Sequence, residues 1–251
     1  MKNVKKFYDS KGWSIISNNF KDAELFEDLR DCAKEYVSSC RLKILNHIPV
    51  KGDNLLDFAS GPIQYKEYLK YSRNFKLRHC VDFSKDAINQ AKKKIGIKGR
   101  FYCNDFLKLN FKENYFDCII SLHTLYHIEK KKQTKAINKL LKILKKDRPL
   151  IIVYSNPETI INKIKRILKI KSKKKKIYFY CYNLEWWKKF SKIAVVKFYP
   201  WRSFSAQHQK MIFPNNILGK VMFIFLSFLE KNFPQFFVKN FQYPIIVLTK
   251  K

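Results

Sequence analysis

The chain has 251 residues, with 52 Lys+Arg against 20 Asp+Glu, a formal charge of +32. Its 46% hydrophobic and 16% aromatic content supplies enough apolar material for a packed core, which excludes a disordered chain in spite of the charge. With only 6 Gly and 8 Pro, collagen-like and low-complexity classes are excluded, and the length fits one domain or at most two small ones.

The first residues, MKNVKKFYDSKGWS, are basic but lead into no apolar run, so no secretory signal is expected. Residues 22–48 carry an apolar stripe at helical spacing through Leu25, Leu29, Ala33, Tyr36, Cys40 and Ile44, and Pro49 and Gly52 end it. NLLDF (54–58) is short and apolar and predicts a buried strand; Pro62 is suited to open a helix over 63–72. LRHCVD (77–82) predicts a second strand. Ser84 follows as an N-cap for a helix whose inner face is Ala87, Ile88, Ala91 and Ile95. RFYCN (100–104), YFDCIISL (115–122) and LIIVYS (150–155) predict three more strands, and Ala136, Ile137, Leu140, Leu141 and Leu144 form a helix face between the last two.

Strands alternating with helices at this spacing predict βαβ units and a parallel sheet. Further on, Lys171–Lys176 (KSKKKK) predicts a solvated loop, because blocks of like charge repel. NLEWWKKF (183–190) predicts a helix; IAVVKFY (193–199) and YPIIVLTK (243–250) predict the last strands. A Phe-rich insert, 201–242, separates them. The six cysteines show no zinc-knuckle or CxxC spacing, so a reduced, cytoplasmic protein without a metal centre is expected.

Acidic, glycine and histidine residues fall at the ends of consecutive predicted strands. The first strand ends in Asp57-Phe58-Ala59-Ser60-Gly61, the second in Asp82-Phe83, the third in Asn104-Asp105-Phe106 and the fourth in Ser121-Leu122-His123. In an open parallel sheet those carboxyl ends form the ligand crevice. A tight turn after the first strand brings backbone N–H groups against a ligand, with Gly61 permitting close approach. Asp82, 25 positions after Asp57, can accept from both hydroxyls of a ribose, and Asp105 from an adenine amino group.

These residues resemble the class I S-adenosylmethionine-dependent methyltransferases over roughly residues 50–156. The family's first motif, an apolar strand followed by Asp-x-Gly-x-Gly-x-Gly, reads LLDFASGPIQ here: Asp57 and Gly61 match, while Ala59 replaces the first glycine and Ile63 the third. The second acidic position falls on Asp82 and the adenine-contacting position on Asp105, beside Phe106. The resemblance implies a Rossmann-like, doubly wound α/β sheet, mostly parallel with an antiparallel last strand. It implies S-adenosyl-L-methionine as cofactor, contacted by Asp57, Ala59, Ser60, Gly61, Asp82, Phe83, Asn104, Asp105, Phe106, Leu122 and His123. One domain, 1–251, is expected: a helical cap (1–48), a cofactor half (49–160) and an acceptor half (161–251). The Gly-x-Gly-x-x-Gly of NAD dehydrogenases is absent.

A base is required only when the methyl acceptor arrives protonated. His127, His123 and Tyr126, just after the fourth strand, are the candidates, with His127 preferred; His208 is a weaker one, and Ser121 is read as structural. His123 has an alternative role packing against the cofactor, and Tyr126 a partly core one. Trp186 and Trp187, at helical spacing with Phe190, read as core more readily than as a pocket wall. Arg202 suits a carboxylate or phosphate, or a place on the surface.

The acceptor is expected to be a small or lipid-linked molecule. The alternatives are an RNA methyltransferase, favoured by the charge, and a non-catalytic cofactor-binding relative. Against RNA, SLHT stands after the fourth strand where base-amine methyltransferases carry Asn-Pro-Pro-Tyr. The charge also suits an anionic membrane, although Lys, Asn, Ile, Phe and Tyr enriched together are what AT-biased coding produces. The apolar run Val221–Leu229 is nine residues, far short of the ~20 that span a bilayer, so 217–241 reads as a lid, an interfacial segment or a dimer contact.

Overall fold

The computed structural model describes residues 4, 7, 8, 12–16, 19–170 and 177–251, so the lysine run 171–176 lies outside the described residues. Seven strands form one sheet: β1 (Gly52–Phe58), β2 (Phe75–Asp82), β3 (Gly99–Cys103), β4 (Cys118–Leu122), β5 (Pro149–Val153), β6 (Ala194–Arg202) and β7 (Tyr243–Lys250). Their spatial order is β3-β2-β1-β4-β5-β7-β6. Strands β1 to β5 run parallel, and β7 runs antiparallel to both β5 and β6. This is the Rossmann-like sheet the strand pattern implied.

The apolar runs explain the layering. Along β1, Leu55 and Leu56 are both fully buried but point to opposite faces. Leu56 joins Ile119, Ile152 and Leu140 on one side; Leu55 joins Ile120, Ile151 and Phe223 on the other. A strand covered on both faces needs no polar alternation, which is why these read as continuous hydrophobic runs.

Helices α1 (Lys21–Phe26), α2 (Asp31–Leu42), α3 (Lys66–Leu69), α4 (Lys85–Ile95), α5 (Lys130–Ile143) and α6 (Ile160–Ile167) precede β6. Between β6 and β7 lie α7 (Ala206–Ile212), α8 (Ile217–Asn232) and α9 (Pro234–Asn240). The Ser84 hydroxyl caps α4 by accepting from the Ala87 amide, and α4 buries Ala87, Ile88 and Ala91. Helix α5 buries Ala136, Ile137, Leu140 and Leu141.

Several boundaries differ from the sequence reading. The helix expected over 22–48 is broken at 27–30, because Glu27 takes extended backbone and turns its carboxylate to Arg202 and Arg41. Leu25 and Leu29 are consequently exposed, and the buried stripe begins at Cys32. The helix expected from Pro62 starts at Lys66, since 59–63 is held as a loop. NLEWWKKF is a 3-10 helix, Leu184–Lys192, with Trp187 and Phe190 in the core.

Candidate cofactor and active site

Strands β2 and β3 extend the sheet outward from β1 before the chain returns to place β4 on the other side of β1. The crevice at such a reversal is where open α/β sheets bind ligands. One cavity lies there, and its walls include Asp57, Ala59, Ser60 and Gly61 from the turn after β1. Asp82 and Phe83 from β2, Asn104, Asp105 and Phe106 from β3, and Leu122, His123 and His127 after β4 complete that side. Every cofactor-side residue expected from the sequence thus borders one space. Tyr126 does not border it; His208 and Ser121 also lie off its wall.

The turn after β1 has an unusual backbone. Ala59, Gly61 and Ile63 have φ of +58°, +56° and +51°. These are the three positions where the family motif carries glycine, so the glycine-type path persists although only one glycine remains. For a β-branched residue such as Ile63 this conformation costs free energy, so its surroundings must hold it. The Lys94 ammonium donates to the Ile63 carbonyl at 2.8 Å, and the Ser60 amide donates to the Val81 carbonyl at 3.1 Å. Ile63 itself is fully buried beside Cys80 and Ala91.

Asp82 ties the turn to β2. Its Oδ2 accepts from the Gly61 amide at 3.0 Å and its Oδ1 from the Ser84 amide at 2.9 Å. Burial pushes this carboxyl up to about 6, against the pull of those amides. Each oxygen keeps a second lone pair for an incoming hydroxyl. Asp105 borders the cavity and uses Oδ1 to accept from the Leu107 amide at 3.0 Å. Asp57 is engaged differently: both Nε and Nη2 of the buried Arg78 donate to its Oδ2, so it enters the cavity wall as half of an ion pair.

Described residues near the N-terminus also line the cavity, which the sequence did not indicate beyond a helical cap. Tyr8, Trp13 and Asp22 line it, and Tyr8 stacks on Trp13 with centroids 4.9 Å apart. The Trp13 ring lies over Gly61 so closely that a Cβ there would meet it at 3.0 Å. Asp22 accepts from the Tyr8 hydroxyl at 3.4 Å, and burial pushes its carboxyl up to about 7. The available signal was a pair of aromatics, Tyr8 and Trp13, flanking Gly12, with no periodicity to place them.

After β4, His123 adopts φ of +57°, which seats its ring at 4.6 Å from Trp201 and 5.1 Å from Tyr243. Its Nδ1 pairs with the Tyr126 hydroxyl at 3.0 Å, while its buried Nε2 meets no partner among the described residues. Burial, with the charges of Arg202 and His127, holds this imidazole neutral, well below the usual histidine range. Tyr126 therefore positions His123 from behind. His127 Nδ1 lies 2.8 Å from the Tyr178 carbonyl, which only accepts, so Nδ1 carries a proton.

Arg202 is neither on the surface nor available to an acceptor anion. It is buried, donates to Glu27 at 2.6 Å, and lies over the rings of Trp201 and Tyr243. His208 is bonded to Ser205, the N-cap of α7, at 3.1 Å.

Comparison with known proteins places these features. Residues 56–152 match the model of a methyltransferase domain. An uncharacterized protein of Methanocaldococcus jannaschii is 26% identical over 167 residues, and the match covers 64% of this chain and 64% of that protein's length. Magnesium protoporphyrin IX methyltransferase from Synechocystis is similar in structure, with a TM-score of 0.62 at 15% identity over 100% of this chain and 99% of that one. N-methyltransferase NodS from Bradyrhizobium japonicum gives 0.61 at 13% identity over 99% and 98%. A SAM-dependent methyltransferase from Archaeoglobus fulgidus gives 0.57 at 14% identity over 86% and 94%. Residues 56–152 are thus a methyltransferase domain by their match, and the whole chain has the Rossmann-like fold of S-adenosylmethionine-dependent methyltransferases.

Proposed function

We propose that this chain transfers a methyl group from S-adenosylmethionine to a small-molecule or lipid-linked acceptor. The observation that carries the reading is the turn 59–63, which keeps three left-handed residues while two of them are not glycine. Strain of that kind persists only where the surroundings impose it, and it clusters at ligand sites.

The residues fit the cofactor. Gly61 has a φ of +56° and lacks the Cβ that would collide with Trp13, so the backbone approaches closely beneath an aromatic cover. Asp82 is buried with one amide on each oxygen, so its remaining lone pairs are oriented to accept two ribose hydroxyls. Asp105, beside Asn104 and Phe106, accepts from an adenine amino group. When bound, S-adenosylmethionine supplies a methyl group already activated on a sulfonium.

The chain's own work is to orient the acceptor and exclude water. His127 borders the cavity, oriented through Nδ1 by the Tyr178 carbonyl, and is the group assigned to take up the acceptor's proton. His123, neutral and fixed by Tyr126, lines the acceptor side. Trp13, packed against Gly61, and Tyr8 line the site.

The test is a screen with methyl-labelled cofactor against amines, phenols, carboxylic acids and extracted lipids. Label appearing in one acceptor class, and disappearing with Asp82→Asn, supports the reading. Cofactor binding with no transfer to any class would instead favour a non-catalytic relative.

A further inference from the structure

Helix α8 is apolar on both sides. Its inner face is anchored: Phe223 stacks on Tyr36 at 4.9 Å, and Glu230 accepts from Tyr36 and from Lys43, each at 2.6 Å. Its outer face carries Ile217, Leu218, Val221, Ile224, Phe225 and Phe228, which recur at helical spacing as one stripe and remain exposed. Ile217 is 75%, Ile224 65% and Phe225 59% exposed, values at which side chains of this size forgo most of the benefit of burial. Phe233 and Phe236 prolong the stripe into α9. Monomeric proteins rarely leave so continuous an apolar surface to water.

The charge around the stripe has one sign. Between Ala206 and Asn240 the exposed formal charges are Lys210, Lys220, Lys231 and Lys239; the sole acid of that stretch, Glu230, is buried on the inner face of α8. Helix α6 repeats the pattern nearby. Ile164 and Ile167 are exposed among Lys163 and Lys165, and Lys165 lies within electrostatic reach of His208 on α7.

This pattern selects the occupant. A second copy of a chain of charge +32 would bring two lysine-rimmed faces together, which like-charge repulsion opposes. An anionic bilayer satisfies both the apolar stripe and its lysines. Among the described residues no single helix is long and apolar enough to cross a membrane. The 16 residues of α8 extend only about 24 Å, α9 turns away from it by 105°, and the Glu230 anchor keeps its inner face on the protein. The helix therefore lies flat rather than spanning. We propose that this chain docks peripherally on an anionic membrane, with the outer face of α8 and the start of α9 in the interface and the lysines at the headgroups.

The inference is independent of the acceptor reading, and its test needs no turnover. The full chain is floated with vesicles of phosphatidylcholine alone and of phosphatidylcholine mixed with phosphatidylglycerol, at low and high salt. Binding to the anionic vesicles, weakened by salt, is expected. The variant Ile224→Ser, Phe225→Ser, Phe228→Ser changes only exposed side chains; with its melting temperature unchanged it should partition at least about tenfold less. Lys220→Glu with Lys231→Glu should remove the preference for anionic lipid. Failure of the wild-type chain to float, or equal flotation of the triple serine variant, overturns the proposal. So does a dimer in sedimentation equilibrium that the serine variant dissolves while vesicles bind neither protein. RNA binding that is salt-sensitive and indifferent to the serine substitutions, in the absence of flotation, overturns it as well.

Discussion

The Gly61 amide donates to the Asp82 carboxylate at 3.0 Å, joining the turn after β1 to the end of β2. One hydrogen bond thus couples the two parts that the proposed reading assigns to the cofactor, the backbone turn and the carboxylate that would accept the ribose hydroxyls. Replacing Asp82 with Asn removes the charge and one of the two acceptor oxygens, so the Gly61 and Ser84 amides can no longer each have their own. The expected loss of S-adenosylhomocysteine affinity is roughly 1.5–3 kcal/mol for each charge-assisted bond lost, measured by calorimetry. Unchanged affinity would place the nucleoside elsewhere.

Asp82 also makes binding and stability respond oppositely to pH. Burial raises its folded pKa to about 6, so its contribution to stability is complete below the ordinary carboxylate pKa and is lost as pH rises through about 6. Asp22, raised to about 7 by burial, acts in the same direction. Affinity for S-adenosylhomocysteine should rise over this window, because the ionised carboxylate is the better acceptor of hydroxyls. The check is calorimetry beside thermal melts from about pH 5 to about pH 7; Asp82→Asn should flatten the affinity profile.

The strained turn makes two glycine exchanges asymmetric. Ala59→Gly relieves a left-handed penalty of about 1–2 kcal/mol at an entropic cost of about 0.5–1 kcal/mol. It should therefore hold or slightly raise the melting temperature. Gly61→Ala should do the reverse, because its φ is +56° and the new Cβ meets Trp13 at 3.0 Å. A quenched or shifted Trp13 fluorescence would report displacement of the cover.

His127→Ala should lower kcat by about a hundredfold or more if the acceptor arrives protonated, with cofactor affinity intact. Tyr126→Phe tests a different role. It removes the hydroxyl at 3.0 Å from His123 without touching the cavity wall, so it should alter kcat through the orientation of His123. Single-turnover rates with methyl-labelled cofactor distinguish both from a binding defect.

Asp57 and Arg78 form a buried ion pair under the site. Arg78→Met alone leaves a buried carboxylate without its partner and should cost about 3–5 kcal/mol in denaturant titrations. Asp57→Asn combined with Arg78→Met should recover most of that loss.

Much of the sheet was legible because its strands are covered on both faces. A run such as CIISL buries Ile119 and Ile120 into opposite cores, and that leaves a mark in composition as well as in spacing. The acidic strand ends were legible for a related reason: a carboxylate closing an apolar strand stands out in one dimension. The break at 27–30 was not legible, because Glu27 leaves the helix to reach Arg202, 175 residues away. The burial of Arg202 follows from the same pairing. Trp13 belongs with them, since nothing near it in the chain indicates that it lies over Gly61.

Local order in the chain determined the alternation of strands and helices, the switch between β1 and β4, and the candidate set Asp57, Asp82, Asp105, His123 and His127, because periodicity and strand ends are properties of neighbouring residues. Tertiary structure decided the rest. It chose which carboxylate faces a guanidinium, which histidine nitrogen faces a backbone carbonyl, how Ala59 and Ile63 keep a glycine's backbone, and which face of α8 is left in water. Each of those depends on groups distant in sequence meeting at hydrogen-bond or van der Waals range, and that juxtaposition exists only once the chain has folded.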